Sequence, residues 1–131
     1  MTSIGNYKVI EKIGEGGFGR VFQAEHKILR TSACLKQNIN ASEVDADLLR
    51  YEAGLLWKLD EYHSIPSIKD FMLLDRTNAV IIMSFIDGKT LEDIISSKGP
   101  LHPEDASWIT ERLLGALHYA HYNGVIHTDV K

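Results

Sequence analysis

Cysteine is almost missing from this chain of 131 residues, in which Cys34 stands alone and cannot form an internal disulfide. A chain without a disulfide framework suits a reducing compartment, so a cytoplasmic location is expected. Long apolar runs are also missing. The longest, "AVIIM", is far too short to cross a bilayer, and the opening "MTSIGNYK" has no apolar signal core. The sequence therefore reads as soluble, with no membrane partner evident in these residues. Neither sign of charge dominates: 14 basic and 18 acidic residues leave a net charge of -4, without a basic run that would track a phosphate backbone. Nucleic acid is excluded as a partner on that ground. Internal repeats, low-complexity tracts and Gly/Ser linkers are lacking too. What is present is 44% hydrophobic content, enough to bury one core.

The order of patterns along the chain indicates an α+β fold. From Tyr7 to about Asn38, β-branched Val9, Ile10, Ile13 and Val21 flank a glycine cluster, while Phe22 and Ala24 alternate with Gln23 and Glu25. These features predict a short antiparallel sheet. The segment "SEVDADLLRYEAGLLWKLD" has helical spacing, with Ser42 as N-cap and Asp45 three residues on. Two strands follow in "SIKDFMLLD" and "NAVIIMSFI". A helix in "TLEDIISS" has Thr90 and Asp93 at capping spacing, and a long amphipathic helix runs from Pro103 to Asn123 and stops at Gly124.

Within the first strands, "KIGEGGFGRVF" spells G-x-G-x-x-G-x-V through Gly14, Gly16, Gly19 and Val21. Glycines at this spacing let backbone N–H groups approach phosphate oxygens. Taken alone, the string also fits a bare glycine-rich hairpin. In a dinucleotide-binding fold a helix would have to follow it, whereas here a strand is predicted.

The first helix carries a misplaced charge. At about 100° per residue from Leu48, Leu55, Leu59, Leu56 and Leu49 fall at about 340°, 20°, 80° and 100°, with Glu52 at about 40°. That places Glu52 in the middle of an apolar stripe, where a carboxylate needs a cation. Lys36, among the small and apolar residues of "SACLKQN", is the candidate. Individually, Glu52 could turn out to solvent and Lys36 could snorkel.

Together, "GEGGFGRV", "ACLK", the helix glutamate, "IIMSFIDGKTL" and "GVIHTDVK", in that order, resemble a eukaryotic-type serine/threonine protein kinase domain from Tyr7 onward. The resemblance implies a small lobe of five antiparallel strands and one helix over residues 1–86. Residues 87–131 would then be the hinge exit and the first two helices of the helical lobe, ending inside the catalytic loop. It implies that the chain is a truncated piece that does not transfer phosphate alone. It also implies ATP and Mg2+ as cofactors and a protein hydroxyl as substrate. Lys36 would grip the α- and β-phosphates, oriented by Glu52, beneath the backbone of Gly14, Glu15, Gly16, Gly17, Phe18 and Gly19. Val21 and Cys34 would roof the adenine and Met83 would be the gatekeeper. The backbones of Ser84 and Ile86 would read the adenine edge, with Thr90 near the ribose and Leu91 below the base. Asp129 would orient the substrate hydroxyl and accept its proton, and Lys131 would neutralise the moving phosphoryl group. His127 is expected to be a packed structural residue.

Two departures from the family pattern have physical consequences. Thr128 stands where the family usually has an arginine that pairs with an activation-loop phosphate, so activity is expected not to depend on such phosphorylation through this residue. The magnesium-binding asparagine and D-F-G aspartate do not occur within residues 1–131, and these metal ligands are expected downstream. Alternative readings are a nucleotide-binding pseudokinase scaffold, or a kinase-like small-molecule phosphotransferase, against which Lys131 argues. The Ile109, Leu113, Leu117 and Ala120 stripe of the long helix is expected to lack its partner helices and to promote self-association. His118 and His121, three apart on that helix, have no third ligand nearby in sequence and read as packing residues.

Overall fold

The computed structural model describes residues 2–17 and 19–130. Its elements are β1 (Ser3–Ile4), β2 (Tyr7–Gly16), β3 (Gly19–His26), β4 (Ser32–Gln37), α1 (Glu43–Lys58), β5 (Ile68–Leu73), β6 (Ala79–Ser84), α2 (Leu91–Lys98) and α3 (Pro103–Tyr122). All strand pairs are antiparallel, in the order β1-β2-β3-β4-β6-β5.

The sheet has six strands where five were expected. The extra one, β1, is two residues long and too short to show alternation in sequence. Its position is set by a two-residue turn, in which Gly5 has φ +55° and Ile4 pairs with Tyr7. A Cβ on Gly5 would stand 2.6 Å from Met72 Cε, and Ile4 shares a core cluster with Met72. The β1–β2 turn thus touches β5, the opposite edge strand, so the sheet curls until its two edges approach.

That curl creates two cores. On one face, Ile4, Ala24, Ala33, Leu35, Val80 and Ile82 pack together. On the other, Ile68, Ala79 and Ile81 meet Ala46, Leu49 and Ala53 of α1. Residues 79 to 83 alternate between the cores, which explains why "AVIIM" is apolar throughout: β6 is covered on both faces.

The first turn of α1 is capped by Ser42, whose Oγ accepts from the Asp45 N–H at 3.0 Å. The face it buries differs from the expected stripe. Ala46, Leu49 and Ala53 form the contact, while Leu48 is 63% exposed. Leucines alone marked the stripe too far round the helix, because the two alanines that lie against the sheet have small weight in an apolar pattern. Glu52 accordingly sits at the edge of the buried face and not at its centre.

Residues 85–90 leave the sheet without regular structure and lead to α2, whose N-cap is Thr90. The N-cap of α3 is His102, with Pro103 in the first turn. At its other end, Gly124 N–H donates to His121 O and Val125 N–H to Ala120 O, with Gly124 at φ +76°. This Schellman arrangement reverses the chain and aims residues 125–130 away from the helix axis. Against the loop after α1, α3 is held by the Tyr62–Tyr119 stack (centroids 4.9 Å apart), and the Tyr62 hydroxyl fills the notch left by Gly115. The α3 stripe is only partly open: Ala120 is buried, Ile109 and Leu117 are half-buried and Leu113 is exposed. No helix among the described residues is long and apolar enough to cross a membrane.

Candidate functional site

The glycine string forms the β2–β3 hairpin, with Gly14 opposite Val21 and Gly16 opposite Gly19. A strand follows it, which removes the dinucleotide-fold reading. Its glycines do different work. Added Cβ atoms at Gly16 and Gly17 would meet nothing within 4 Å, so the tip is open to an approaching group. At Gly19 a Cβ would lie 2.8 Å from the Gln37 carbonyl oxygen, 3.2 Å from Lys36 Cε and 3.3 Å from Lys36 Cγ. Gly19 is therefore the gap through which the Lys36 side chain passes. Glu15 is drawn sideways to Lys12 and Arg20, at 3.5 Å each. Phe18, expected at the tip of this loop, lies outside the described residues.

Cross-strand partners in an antiparallel sheet share a face. Lys36 pairs with Val21 on one side and Ile81 on the other, and Cys34 pairs with Gln23 and Met83. Since Ile81 and Met83 belong to the α1-facing core, Val21, Cys34, Lys36 and Met83 all project from the helix side of the sheet. From there Lys36 Nζ donates to Glu52 Oε1 at 2.7 Å. The lysine side chain is 19% exposed and the carboxylate 39%, so the pair stands at the mouth of a cleft. Burial raises the Cys34 thiol pKa, and the Lys36 ammonium partly opposes that rise.

The expected adenine-edge residues lie at the end of β6 and just beyond. Ser84 N–H donates to Ser67 O at 2.8 Å, and its Oγ accepts from Ser67 N–H at 3.1 Å. Its backbone can therefore serve a ligand only through the carbonyl. Ile86 is exposed in the connecting segment, and Leu91 opens α2, where Thr90 Oγ1 accepts from the Asp93 N–H at 3.1 Å.

A cavity of about 480 Å³ is lined by Gly17 of the hairpin, Leu49 and Glu52 of α1, Asn38 and Ile39 of the β4–α1 connection, and Thr128. The fold thus brings Gly17, Glu52 and Thr128 to one hollow, whereas Lys36, Asp129 and the sheet residues Val21, Cys34 and Met83 are not in its lining. Next to Thr128, the Asp129 N–H donates to His127 Nδ1 at 3.0 Å. His127 is exposed and not packed as expected, because its ring turns back to shape this loop and does not enter a core. Lys131, expected to face the transferred group, lies outside the described residues.

The donor set fits a nucleotide triphosphate: an open glycine tip, an ammonium held from behind by a carboxylate, and an apolar sheet face alongside. Among the described residues no three His, Cys, Asp or Glu side chains converge as metal ligands. Sequence reasoning missed two residues at this hollow: Asn38, which lines it, and Arg20, which holds Ile39 of its lining. Asn38 is buried, with both amide hydrogens donated and Oδ1 accepting one bond, and Arg20 Nη2 donates to Ile39 O at 2.9 Å. Arg20 falls at a variable position of the glycine string, where residue type carries no signal, and an asparagine at a strand end reads from sequence as a turn residue.

Comparisons with known proteins agree on one family. The model of the protein kinase domain matches residues 7–131. Over 130 residues the chain is 34% identical to the serine/threonine-protein kinase PrkC of Bacillus subtilis, covering 97% of this chain and 20% of that protein. It is 31% identical over 133 residues to the serine/threonine-protein kinase PknH of Mycobacterium bovis, covering 99% of this chain and 22% of the relative. A solved structure described as PpkA-294, apo form, shares the fold with a TM-score of 0.81 at 21% identity, over 99% of this chain and 53% of that one. The chain therefore spans about a fifth of the curated relatives it matches.

Proposed function

The chain belongs to the protein kinase family, and from that premise we propose that it forms the nucleotide-binding front of an ATP-dependent serine/threonine protein kinase. The observation that carries this reading is the 2.7 Å contact between Lys36 and Glu52 beneath the glycine hairpin. A lysine so held presents its remaining donors to phosphate oxygens in a fixed direction, and little of its rotamer freedom is left to lose on binding. Gly14 to Gly19 would cover the phosphates with backbone donors. Val21, Cys34 and Met83 would flank the base, the Ser84 carbonyl and Ile86 N–H would read its edge, and Thr90 and Leu91 would lie by the ribose and under the base.

Asp129 is assigned to orient the substrate hydroxyl and accept its proton, and Lys131 to meet the charge of the transferred group. ATP supplies the phosphoryl group when bound, and Mg2+ screens its charge. The transfer step is assigned to a longer kinase domain, because the family's metal-binding asparagine and D-F-G aspartate are not among residues 1–131. We divide the chain into a small lobe over residues 1–86 and the beginning of a helical lobe over 87–131. The open part of α3 around Leu113 is assigned to packing against further helices, or to self-association where they are lacking. The lone cysteine is consistent with a cytoplasmic setting.

Titration of the chain with ATP, with and without Mg2+, against a Lys36→Met variant tests the reading. Saturable binding that weakens at least about tenfold in the variant is expected. Equal affinity in both proteins would remove the role given to Lys36.

A further inference from the structure

Asn38 is the single buried polar side chain found among the described residues, at 4% exposure. Its amide is almost fully used. Nδ2 donates to Asn40 O and to Thr77 O, both at 2.7 Å, and Oδ1 accepts from the Ala79 N–H at 2.8 Å. Asn40 lies in the short connection between β4 and α1, whereas Thr77 lies in the β5–β6 turn and Ala79 is the first residue of β6. One side chain thus ties the entry of the helix to the start of β6, the strand that pairs with β4. From the opposite direction, Arg20 on β3 donates to the carbonyl of Ile39 at 2.9 Å. The connection between the strand that carries Lys36 and the helix that carries Glu52 is therefore gripped from both sides, and Ser42 caps the helix directly after it.

The need for such a grip follows from how α1 packs. It leans on β5 and β6, and two of its three buried contacts are alanines. Two alanines and one leucine bury little apolar surface, so this contact supplies little energy against rotation or sliding of the helix. The 2.7 Å reach between Nζ and Oε1 tolerates little of either.

We propose that Asn38, with Arg20 as its counterpart on β3, is a positioning residue that holds the entry of α1 where Glu52 meets Lys36. The docked helix is then the resting state of this chain, set by hydrogen bonds within the small lobe. The consequence for nucleotide binding rests on the function proposed above, but the positioning itself does not, and the two are tested apart.

The test is a mutant cycle on unfolding equilibria. Lys36→Met, Glu52→Gln and the double variant are compared in the unaltered chain, in Asn38→Ala and in Arg20→Met. In the unaltered chain the pair is expected to be coupled by a factor of about 5–10. Asn38→Ala should bring that factor below about 2, and Arg20→Met should roughly halve it. A purely structural asparagine would lower the stability of all four proteins alike and leave the coupling intact, and that result overturns the proposal. So does an uncoupled pair in the unaltered chain. Should Asn38→Ala fail to fold, Arg20→Met decides, and unchanged coupling there overturns it equally. ATP affinity of the same proteins is read separately: an unaltered chain that binds no ATP sinks the nucleotide reading while leaving the coupling to speak for Asn38.

Discussion

Replacing Glu52 by glutamine keeps the shape of the α1 edge and removes one charge, so it isolates what the carboxylate does for Lys36. At 2.7 Å, two unit charges attract by roughly 6 kcal/mol at an effective dielectric of about 20. Most of that is cancelled. The carboxylate is 39% exposed and screened by solvent, and the ammonium, at 19%, has lost much of its hydration. A net contribution of about 1 kcal/mol to stability remains, above a typical surface pair and well below a fully buried one. The effect on ATP should be larger than the effect on stability. A freed lysine regains part of about 2 kcal/mol of rotamer entropy, which must be lost again on binding phosphate. Glu52→Gln is therefore expected to lower the unfolding free energy by about 1 kcal/mol and to weaken ATP binding about tenfold. Chemical denaturation and titration with a fluorescent ATP analogue measure the two effects. In a Lys36→Met background the same change should alter affinity by less than about twofold. A tenfold loss that persists without Lys36 would show that Glu52 acts on the site by another route, and unchanged affinity in Glu52→Gln would refute the orienting role outright.

Gly19→Ala should destabilise the chain by about 1–2 kcal/mol, since the new methyl presses on the Gln37 carbonyl and the Lys36 stem; Gly16→Ala, with nothing within 4 Å, should cost less, and equal melting behaviour of the two would contradict the packing described. Cys34 should react slowly with iodoacetamide at neutral pH, because burial raises its pKa and thins the thiolate, and the rate should climb toward alkaline pH. Saturating ATP should protect it, and modification at the same rate with and without ATP would place the base elsewhere. In the β5–β6 turn, hydrogen bonds from Asn78 and Thr77 lower the Asp75 pKa from 3.8 to about 2. A folded-state value below the unfolded one means stability that is full above about pH 4 and lost as the pH falls toward 2. Asp75→Ala should thus differ from the parent in denaturation midpoint near neutrality and converge with it in acid, and a gap that stays constant from pH 5 to pH 2 would exclude this source.

The order of elements was legible because the signals that set it are local. Ser42, Thr90 and Pro103 mark helix starts, Gly124 marks a helix end, and the glycine cluster marks the hairpin. β1 was not legible, since a two-residue strand becomes visible only once its Gly5 turn meets Met72 across the curled sheet. The buried face of α1 was misread for a related reason. Leucine periodicity registers hydrophobicity, whereas the face that fits the sheet is chosen by closeness of approach, and Ala46 and Ala53 allow it where Leu48 does not. Close approach is a property of two surfaces, and one strand of sequence carries only one of them.

The same distinction separates the parts of the site. Lys36 could be suspected from sequence because it is a charge among small and apolar residues, and Glu52 because it fell within a leucine stripe, although the structure moves the buried face and leaves Glu52 at its edge. Asn38 and Arg20 are anomalies only in three dimensions, as their partners Thr77, Ala79 and Ile39 lie on other strands and turns and offer backbone atoms that have no residue type to recognise. Groups that meet the ligand are constrained in chemistry and so leave a readable residue, while groups that set geometry need only a donor or acceptor in the right place. For a cleft whose central contact spans 2.7 Å between separate elements, the second kind decides whether the first can act. A replacement at Asn38 that spares every motif residue is for this reason expected to disturb the Lys36–Glu52 pair more than many replacements within the glycine string itself, such as those at the open positions Gly16 and Gly17.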